Sequence, residues 1–298
     1  MKPIHKNRKM LELKYQGQEF EPRIIQRFQT IAKSVFEVSF LKKYGLQNAQ
    51  NVGLSQIELH VKNLPVKFDG CKILFITDMH IEGIDCLAER IIRIAGQVEY
   101  DYCFLGGDYS FGFEAKNEVM RQKLCKVVEF LVDKSQVFGI LGNHDEYRIA
   151  EVLNGFGVDM LLNEHVCLER EGDKVYLVGV DDYCFFRAAE LEQAAIAVPD
   201  NAFKIILSHS PDLYKQAAQA GYSLYLAGHT HAGQICLPGK IAIITNAHVP
   251  RKMIKGRWKY RSMVGYTSCG VGTSLVPARF FCQPEVVCIT LIKNSNTK

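Results

Sequence analysis

Two histidines separated by one residue follow a short apolar stretch in the second half of the chain. Residues 224–227, LYLA, have the composition of a buried strand, which ends at Gly228 and is followed by His229 and His231. With one residue between them, both imidazoles can face the same pocket, and neutral imidazole is a common ligand of transition-metal ions. This spacing favours a metal site if other parts of the chain supply further ligands.

Four other apolar strands of the sequence also end in residues that can bind a metal ion. These strand ends carry Asp78 with His80, Asp108, Asn143 with His144, and His209. Because the carboxyl ends of parallel strands meet at one edge of an open α/β sheet, we expect all these side chains to converge. Asp, Asn and His without thiolate form a ligand set for Mn²⁺, Fe²⁺ or Zn²⁺. Two divalent ions about 3.5–4 Å apart that share a carboxylate would use this many groups.

Between these strand ends, apolar strands alternate with amphipathic helices, which is typical of an α/β protein with parallel strands. Helices are predicted around residues 84–97, 116–133 and 187–197. Strands are predicted at 56–60, 72–77, 102–106, 137–141, 158–162, 166–170, 175–180, 204–208 and 224–227. Further β-type runs at 241–245, 262–268 and 286–292 imply a second sheet packed on the first.

Composition and charge indicate a single large domain with a basic amino-terminal arm. The chain has 298 residues, 48% of them hydrophobic, and a net charge of +4. Residues 1–43 contain ten Lys and Arg against four Glu. Apolar residues at helical spacing predict an amphipathic basic helix over residues 22–44, and packing on its own domain and contact with an anionic membrane both remain open.

The ten cysteines form no CxxC pair and lie mostly in apolar runs. This distribution favours buried, reduced thiols in an intracellular protein over disulfides or a zinc ribbon. We find no apolar run of membrane-spanning length and no signal-peptide pattern. Nucleic-acid binding is not predicted, because the net charge is modest and no recognised DNA- or RNA-binding pattern occurs.

A basic run at residues 251–261 contains six Lys and Arg together with the chain's single Trp. We interpret it as a loop in which Arg257, Trp258 and Lys259 contact substrate, and the run could meet phosphate oxygens, a nucleobase face or lipid head groups. A solvated basic loop is the alternative. Gln234, three residues after the histidine pair, is either a further substrate-binding residue or a turn residue.

Taken in order, these motifs resemble those of the calcineurin-like metallophosphoesterase superfamily. The family pattern DxH, GD, GNH(D/E), H and GHxH corresponds here to DMH, GGD, GNHD, SH and GHTH, within a match over residues 57–292. The phrases SHSPD, GHTHAGQ, GVGTS and QPE are similar to the bacterial YaeI/YkuE-type branch. The resemblance implies a four-layer α/β/β/α sandwich of two mixed sheets flanked by helices, spanning residues 51–298 after an arm at 1–50.

The resemblance also implies a role for each residue at the strand ends. Asp78, His80 and His231 would bind the first ion, Asn143, His209 and His229 the second, and Asp108 would bridge the two. His144 would protonate the leaving oxygen, and Asp145 would orient its imidazole. Mn²⁺ is the expected ion, with Fe²⁺ and Zn²⁺ as alternatives.

The expected activity is hydrolysis of a phosphodiester or pyrophosphate bond. Because the branch includes phosphodiesterases and UDP-2,3-diacylglucosamine hydrolases of lipid A synthesis, the specific prediction is cleavage of that compound to UMP and 2,3-diacylglucosamine 1-phosphate. The expected location is the cytoplasm, and contact of the predicted N-terminal helix with the inner membrane stays open. The alternatives are a soluble broad-range phosphodiesterase acting on nucleotides and a non-catalytic scaffold of the same fold.

Overall fold

The computed structural model describes residues 3–15, 41–110 and 118–294. Most of the helix predicted over residues 22–44 therefore lies outside the described residues. The helices are α1 (Pro3–Tyr15), α2 (Leu41–Gln50), α3 (Leu87–Ala95), α4 (Glu118–Lys134), α5 (Tyr147–Gly155), α6 (Leu191–Ala194) and α7 (Tyr214–Gln219). Within the described ranges, no helix combines the length and the apolar character that a membrane span requires.

The strands form two six-stranded mixed sheets and one small hairpin. The first sheet has the order β1-β14-β2-β3-β4-β5, with β1 (Gly53–Val61), β14 (Glu285–Lys293), β2 (Lys72–Ile76), β3 (Tyr102–Leu105), β4 (Gln136–Gly139) and β5 (Val158–Met160). The second has the order β12-β13-β9-β8-β7-β6, with β12 (Gly256–Tyr260), β13 (Met263–Thr267), β9 (Leu224–Ala227), β8 (Phe203–Leu207), β7 (Asp173–Gly179) and β6 (Glu164–Arg170). The hairpin pairs β10 (Cys236–Leu237) with β11 (Ile241–Ala242).

The two sheets pack face to face and are covered by helices on their outer faces. Phe75, Phe104 and Phe138 of the first sheet share one apolar core with Leu177 and Leu226 of the second. Helices α3, α4 and α5 bury their apolar faces against the first sheet, and α6 and α7 pack against the second. The expected four-layer α/β/β/α architecture is confirmed.

Strand register brings the candidate site residues to one edge of each sheet. Strands β2, β3 and β4 are parallel, and Ile76, Leu105 and Gly139 lie in register at their carboxyl ends. Strands β8 and β9 are also parallel, with Leu207 opposite Leu226. The loops after these five strands therefore start side by side, as the strand-end pattern predicts.

Several local predictions differ from the structure. The helix expected at 187–197 is limited to α6, and α1 and α5 were not predicted. The basic run at 251–261 is a short 3₁₀ turn followed by the edge strand β12 rather than a loop. Both described parts of the predicted arm pack on the body: in α2, Asn48 Nδ2 donates to the carbonyl of Arg279 at 3.0 Å. The division at residue 50 stays a prediction.

Candidate metal centre

Three buried side chains from opposite halves of the chain form a first group of possible metal ligands. Asp78 and His80 follow β2, and His231 follows β9. His231 Nε2 lies 3.4 Å from Asp78 Oδ1 and 3.3 Å from His80 Nε2. All three ligand atoms fall within 4.8 Å of one another, so one cation can contact each of them.

A second group of possible ligands consists of Asp108, His209 and His229. The Asp108 carboxylate lies 3.1 Å from His209 Nε2, but the geometry is not that of a hydrogen bond, and this buried nitrogen has no other hydrogen-bond partner within the described chain. Asn143 Oδ1 is likewise buried without a hydrogen-bond partner among the described residues. Buried polar atoms of this kind are rare unless an ion or water satisfies them, so both fit a cation.

Asp108 connects the two groups. Its Oδ2 atom lies 3.6 Å from His80 Nε2 in the first group and 3.1 Å from His209 Nε2 in the second. The same carboxylate accepts a hydrogen bond from the His144 backbone N–H through Oδ1, at 2.9 Å. A carboxylate in this position can be shared by two cations, so the residues present fit a dinuclear site.

Hydrogen bonds to backbone carbonyls orient three of the ligand imidazoles. The pairs are His80 Nδ1 with Ser110 O at 2.7 Å, His209 Nδ1 with Gly106 O at 2.8 Å, and His229 Nε2 with Asn246 O at 2.9 Å. Because a carbonyl oxygen only accepts, each of these ring nitrogens carries the proton. The opposite nitrogen then presents its lone pair, as metal binding requires.

Burial and mutual charge set the protonation of the ligand groups. Burial lowers the pKa of His80 to about 3 and also lowers the pKa of His231, so both rings are neutral near pH 7. Burial alone would lower the pKa of His209, but the Asp108 carboxylate outweighs it and raises this pKa to about 9. Burial raises the pKa of Asp78. Bound cations would stabilise the carboxylates in their charged form and would displace protons from the imidazoles.

Backbone geometry at the ligands is unusual. Five ligands have φ in the left-handed region: Asp78 (54°), His80 (37°), Asp108 (56°), His229 (70°) and His231 (46°). Two glycines make room for the carboxylates, since a Cβ at Gly142 would collide with Asp108 and one at Gly228 with Asp78. The loops therefore turn sharply at the ligands and bring the backbone close to the site.

His144, the predicted proton donor, lies at the border of the ligand groups and is half-buried. Its ring centroid is 5.1 Å from that of His80, and the two rings meet edge to face. His144 belongs to neither ligand group. This position suits a side chain that contacts a substrate held at the cations, and the assignment stays a prediction.

Asp145 has a different environment from the one predicted. Its buried carboxylate accepts hydrogen bonds from the backbone N–H groups of Asp108, Tyr109 and Gly142 at 2.7, 2.8 and 2.8 Å. Burial and the nearby Asp108 charge raise the pKa of Asp145 to about 7. These contacts fasten the loops after β3 and β4 together. The role of Asp145 in orienting the His144 imidazole stays a prediction.

Gln234 is bound to a neighbouring loop of the protein. Its Nε2 atom donates to the carbonyls of Ser274 and Val276 at 2.8 and 3.1 Å, and its Oε1 atom accepts from the Ser274 N–H at 2.7 Å. Three of the side chain's four hydrogen-bonding positions are thus used by the 274–276 loop. These contacts agree with the turn-residue alternative, and substrate contact by Gln234 stays a prediction.

Trp258 is a core residue and not a substrate contact. Its side chain is 5% exposed, its Nε1 donates to Thr267 Oγ1 at 2.9 Å, and the indole covers Gly265. The alternation of β12 places Trp258 inward, while its neighbours Arg257 and Lys259 are exposed at the sheet edge. For these two residues substrate contact stays a prediction.

Sequence reasoning did not identify Arg279 as a site residue. This fully buried guanidinium donates to the carbonyls of Cys269, Gly270 and Gly272 at 2.8, 3.2 and 2.6 Å, and it lies 3.3 Å from His231 Nδ1. It thereby packs the 269–272 loop against the metal ligand. A single basic residue in a stretch otherwise rich in Gly and Ser, after the GVGTS phrase, was the available signal.

Arg8 of α1 is a second residue that sequence reasoning missed. Its buried guanidinium donates to Asp181 Oδ1 at 2.7 Å, to Glu12 Oε1 at 3.0 Å, and to the carbonyls of Gly142 and Asp145 at 3.2 and 2.7 Å. The two residues between these carbonyls are the predicted ligand and proton donor of the GNHD motif. Arg8 therefore fastens α1 to the loop that presents both.

We expect Arg8→Ala to lower kcat on a phosphodiester by up to about 10²-fold, because the GNHD loop loses two hydrogen bonds that fix its position. Its charge partner Asp181 would also remain buried and unpaired, which typically costs about 3–5 kcal/mol of folding free energy. Kinetics with metal-loaded enzyme and thermal unfolding measure the two effects. Lys9→Ala is the matched control, because Lys9 lies on the same helix as Arg8 and forms only an exposed ion pair, with Glu151 of α5. The same kcat in Arg8→Ala and Lys9→Ala would contradict the role of Arg8 in positioning the GNHD loop.

The family comparison agrees with this geometry. The profile of the calcineurin-like phosphoesterase family matches residues 71–249, more than half of the chain, and contains all seven proposed ligands. The chain belongs to the calcineurin-like phosphoesterase family. It is a metal-dependent phosphohydrolase.

Two curated relatives are similar over most of their length. An uncharacterized metallophosphoesterase of Bacillus subtilis, YkoQ, is 28% identical over 261 residues, which cover 84% of this chain and 93% of the relative. Phosphodiesterase YaeI of Escherichia coli is 27% identical over 238 residues, covering 74% of this chain and 82% of YaeI. Among solved structures, phosphopantetheinyl hydrolase of Mycobacterium tuberculosis is 11% identical with a TM-score of 0.44, covering 70% of this chain and 91% of the other.

Proposed function

We propose that the two ligand groups bind a pair of divalent cations and that the chain hydrolyses a phosphodiester or pyrophosphate bond. One observation carries the proposal: a single Asp108 oxygen lies within 3.6 Å of His80 Nε2 and 3.1 Å of His209 Nε2. Asp78, His80 and His231 would bind one cation, Asn143, His209 and His229 the other, and Asp108 both. Mn²⁺ is the proposed ion, with Fe²⁺ and Zn²⁺ compatible with the same oxygen and nitrogen ligands.

Two such cations supply Lewis acidity, which lowers the pKa of water and neutralises charge on the phosphoryl oxygens. The protein holds the ligands ready for this role. Ser110, Gly106 and Asn246 fix the tautomers of three histidines through their carbonyls, and Asp145 ties the β3 and β4 loops together. A rigid ligand arrangement requires little reorganisation when a phosphate ester binds.

His144 is the proposed general acid. The imidazole borders the ligand groups, and its backbone N–H donates to Asp108 at 2.9 Å, so the ring is anchored beside the shared carboxylate. From this position it can give a proton to the oxygen that leaves phosphorus. Alkoxide and sugar leaving groups need that proton most, because they are poor leaving groups without it.

For the substrate, we propose a diester or pyrophosphate over a monoester, and UDP-2,3-diacylglucosamine as the specific compound. The similarity to a relative named as a phosphodiesterase supports a diester substrate. For the acylated nucleotide sugar, the support is the resemblance of the sequence motifs to the YaeI/YkuE-type branch. Cleavage would release UMP and 2,3-diacylglucosamine 1-phosphate. A broad-range phosphodiesterase acting on nucleotides remains the alternative.

A substrate panel with metal-loaded enzyme tests the proposal. It contains bis(p-nitrophenyl) phosphate, p-nitrophenyl phosphate, a dinucleotide and UDP-2,3-diacylglucosamine, with UDP-N-acetylglucosamine as the control that lacks the acyl chains. We expect the diester to be cleaved faster than the monoester and the acylated nucleotide sugar to have the highest kcat/KM. Turnover of aryl diesters and dinucleotide without turnover of the acylated sugar would contradict the specific substrate. No turnover by protein with two bound ions would contradict the reaction.

A further inference from the structure

One carboxyl-terminal segment of the chain contains many basic residues and no acidic ones. Residues 213–284 contain nine Lys and Arg and no Asp or Glu. The whole chain has 36 basic and 32 acidic residues, so the chain outside this segment has 27 basic and 32 acidic residues. A segment of this length without a single acidic residue attracts anionic partners over distances up to the Debye length, about 10 Å at 0.1 M salt.

The β10–β11 hairpin, which lies in this segment, exposes aliphatic side chains on one face. Leu237 and Ile241 are directly opposite each other and are 51% and 54% exposed, and Ile243, two residues further, is 47% exposed. The other face is buried, with Cys236 opposite Ala242. Three large aliphatic side chains on one small hairpin form an apolar surface rather than isolated exposed residues.

Basic side chains lie along the same hairpin. Lys240 is exposed at its tip, and Lys255 Nζ donates to the Lys240 carbonyl at 3.3 Å. Arg251 Nη1 donates to the carbonyl of Ala242 at 2.9 Å, and the adjacent Lys252 is exposed. The 3₁₀ turn and the hairpin are therefore one surface, on which cations surround the exposed aliphatic face.

This surface is connected directly to the candidate metal centre. The hairpin begins five residues after His231, and the irregular segment that follows β11 reaches Asn246, whose carbonyl accepts a hydrogen bond from the His229 imidazole at 2.9 Å. Thr230, between the two ligands, donates to the Ile254 carbonyl at 2.5 Å. A partner bound at the hairpin would thus lie beside the GHTH ligands.

We propose that the 236–243 hairpin and the basic segment 251–255 dock the protein on an anionic lipid membrane. Charge and apolarity together identify the partner. Lys240, Arg251, Lys252 and Lys255 fit the negative surface of such a membrane, and the exposed aliphatic face fits the boundary between headgroups and acyl chains. Nucleic acid would match the charge but not the aliphatic side chains, because its binding sites combine cations with aromatic stacking residues. Docking at this surface is separate from the proposed reaction.

Sedimentation of the full chain with vesicles tests this proposal without any measurement of turnover. We expect binding to vesicles that contain phosphatidylglycerol, weak binding to pure phosphatidylcholine, and a loss of binding as salt increases. The double variant Leu237→Ser/Ile241→Ser is expected to bind about tenfold more weakly, from the lost burial of two aliphatic side chains. Lys240→Ala and Lys252→Ala are each expected to weaken binding by about fivefold.

Matched controls are Ile196→Ser, an exposed aliphatic residue of the second sheet's outer layer, and Lys62→Ala, an exposed lysine after β1. Both should bind vesicles like wild type, and bound metal and thermal unfolding should show that every variant is folded. Equal binding by wild type and the hairpin variants would overturn the proposal. Failure to bind phosphatidylglycerol at low salt would also overturn it, as would salt-dependent binding to a single-stranded oligonucleotide in preference to the vesicles.

Discussion

Asp108→Ala is expected to lose both cations and to lower turnover of a phosphodiester by at least about 10⁴-fold, because bound metal supplies several kcal/mol of transition-state stabilisation and about 1.4 kcal/mol corresponds to a tenfold rate. Asp108 supplies the carboxylate of the second ligand group and lies 3.6 Å from His80 in the first. Without it, the second group has only neutral ligands for a doubly charged ion in a buried site, which is energetically unfavourable. Metal content by mass spectrometry and steady-state kinetics measure the two effects.

Asp108→Asn is the control that separates charge from shape. The amide retains an oxygen that can accept the His144 backbone N–H, which now binds Asp108 Oδ1 at 2.9 Å, but it cannot neutralise two cations. We expect this variant to fold like wild type and to retain less than two ions per chain. Two bound ions and wild-type turnover in Asp108→Ala would refute the bridging role and, with it, the dinuclear site.

His144→Ala is expected to keep both cations and to lower kcat by about 10²–10⁴-fold, the range for loss of a general acid. Metal binding should be retained because His144 borders the ligand groups without being a member of either. The loss should depend on the leaving group. It should be large for a nucleotide or sugar ester, whose leaving oxygen needs a proton, and small for p-nitrophenolate, which leaves without one.

His60→Ala is the matched control for that variant, because His60 is an exposed histidine of β1. It should retain the metal content and kinetics of wild type with both kinds of substrate. An equal loss for good and poor leaving groups in His144→Ala would contradict proton donation, and a loss of metal would reassign His144 as a ligand.

Local sequence patterns predict the strands and the convergence of their polar ends, whereas the layer order and the division of the ligands into two groups come from the family resemblance. Short apolar strands followed by Asp, Asn or His identify strand ends, and parallel register then brings those ends together at one edge. Asp78 and His231 are separated by 153 positions, yet each occupies the loop after a predicted strand, so their convergence followed from topology.

The remaining site contacts could not be predicted because they depend on tertiary packing without a local signature. Arg8 pairs with Asp181 across 173 positions, and α1 has no sequence feature that specifies where it docks. Gln234 follows the metal motif directly, but its side chain binds a loop 40 residues away. Trp258 lies in a basic run, and only the pairing of β12 with β13 shows that it points into the core.

The left-handed backbone at five metal ligands has a consequence for how such a protein can evolve. The left-handed backbone of each of these non-glycine residues costs about 1 kcal/mol or more of folding free energy. Bound ions can offset that cost, whereas the empty site cannot. A descendant that is not selected for catalysis could replace these ligands with glycine. It would gain folding stability and lose metal-dependent activity. Asp and His at these five positions therefore leave strain in the backbone that only an occupied centre would offset.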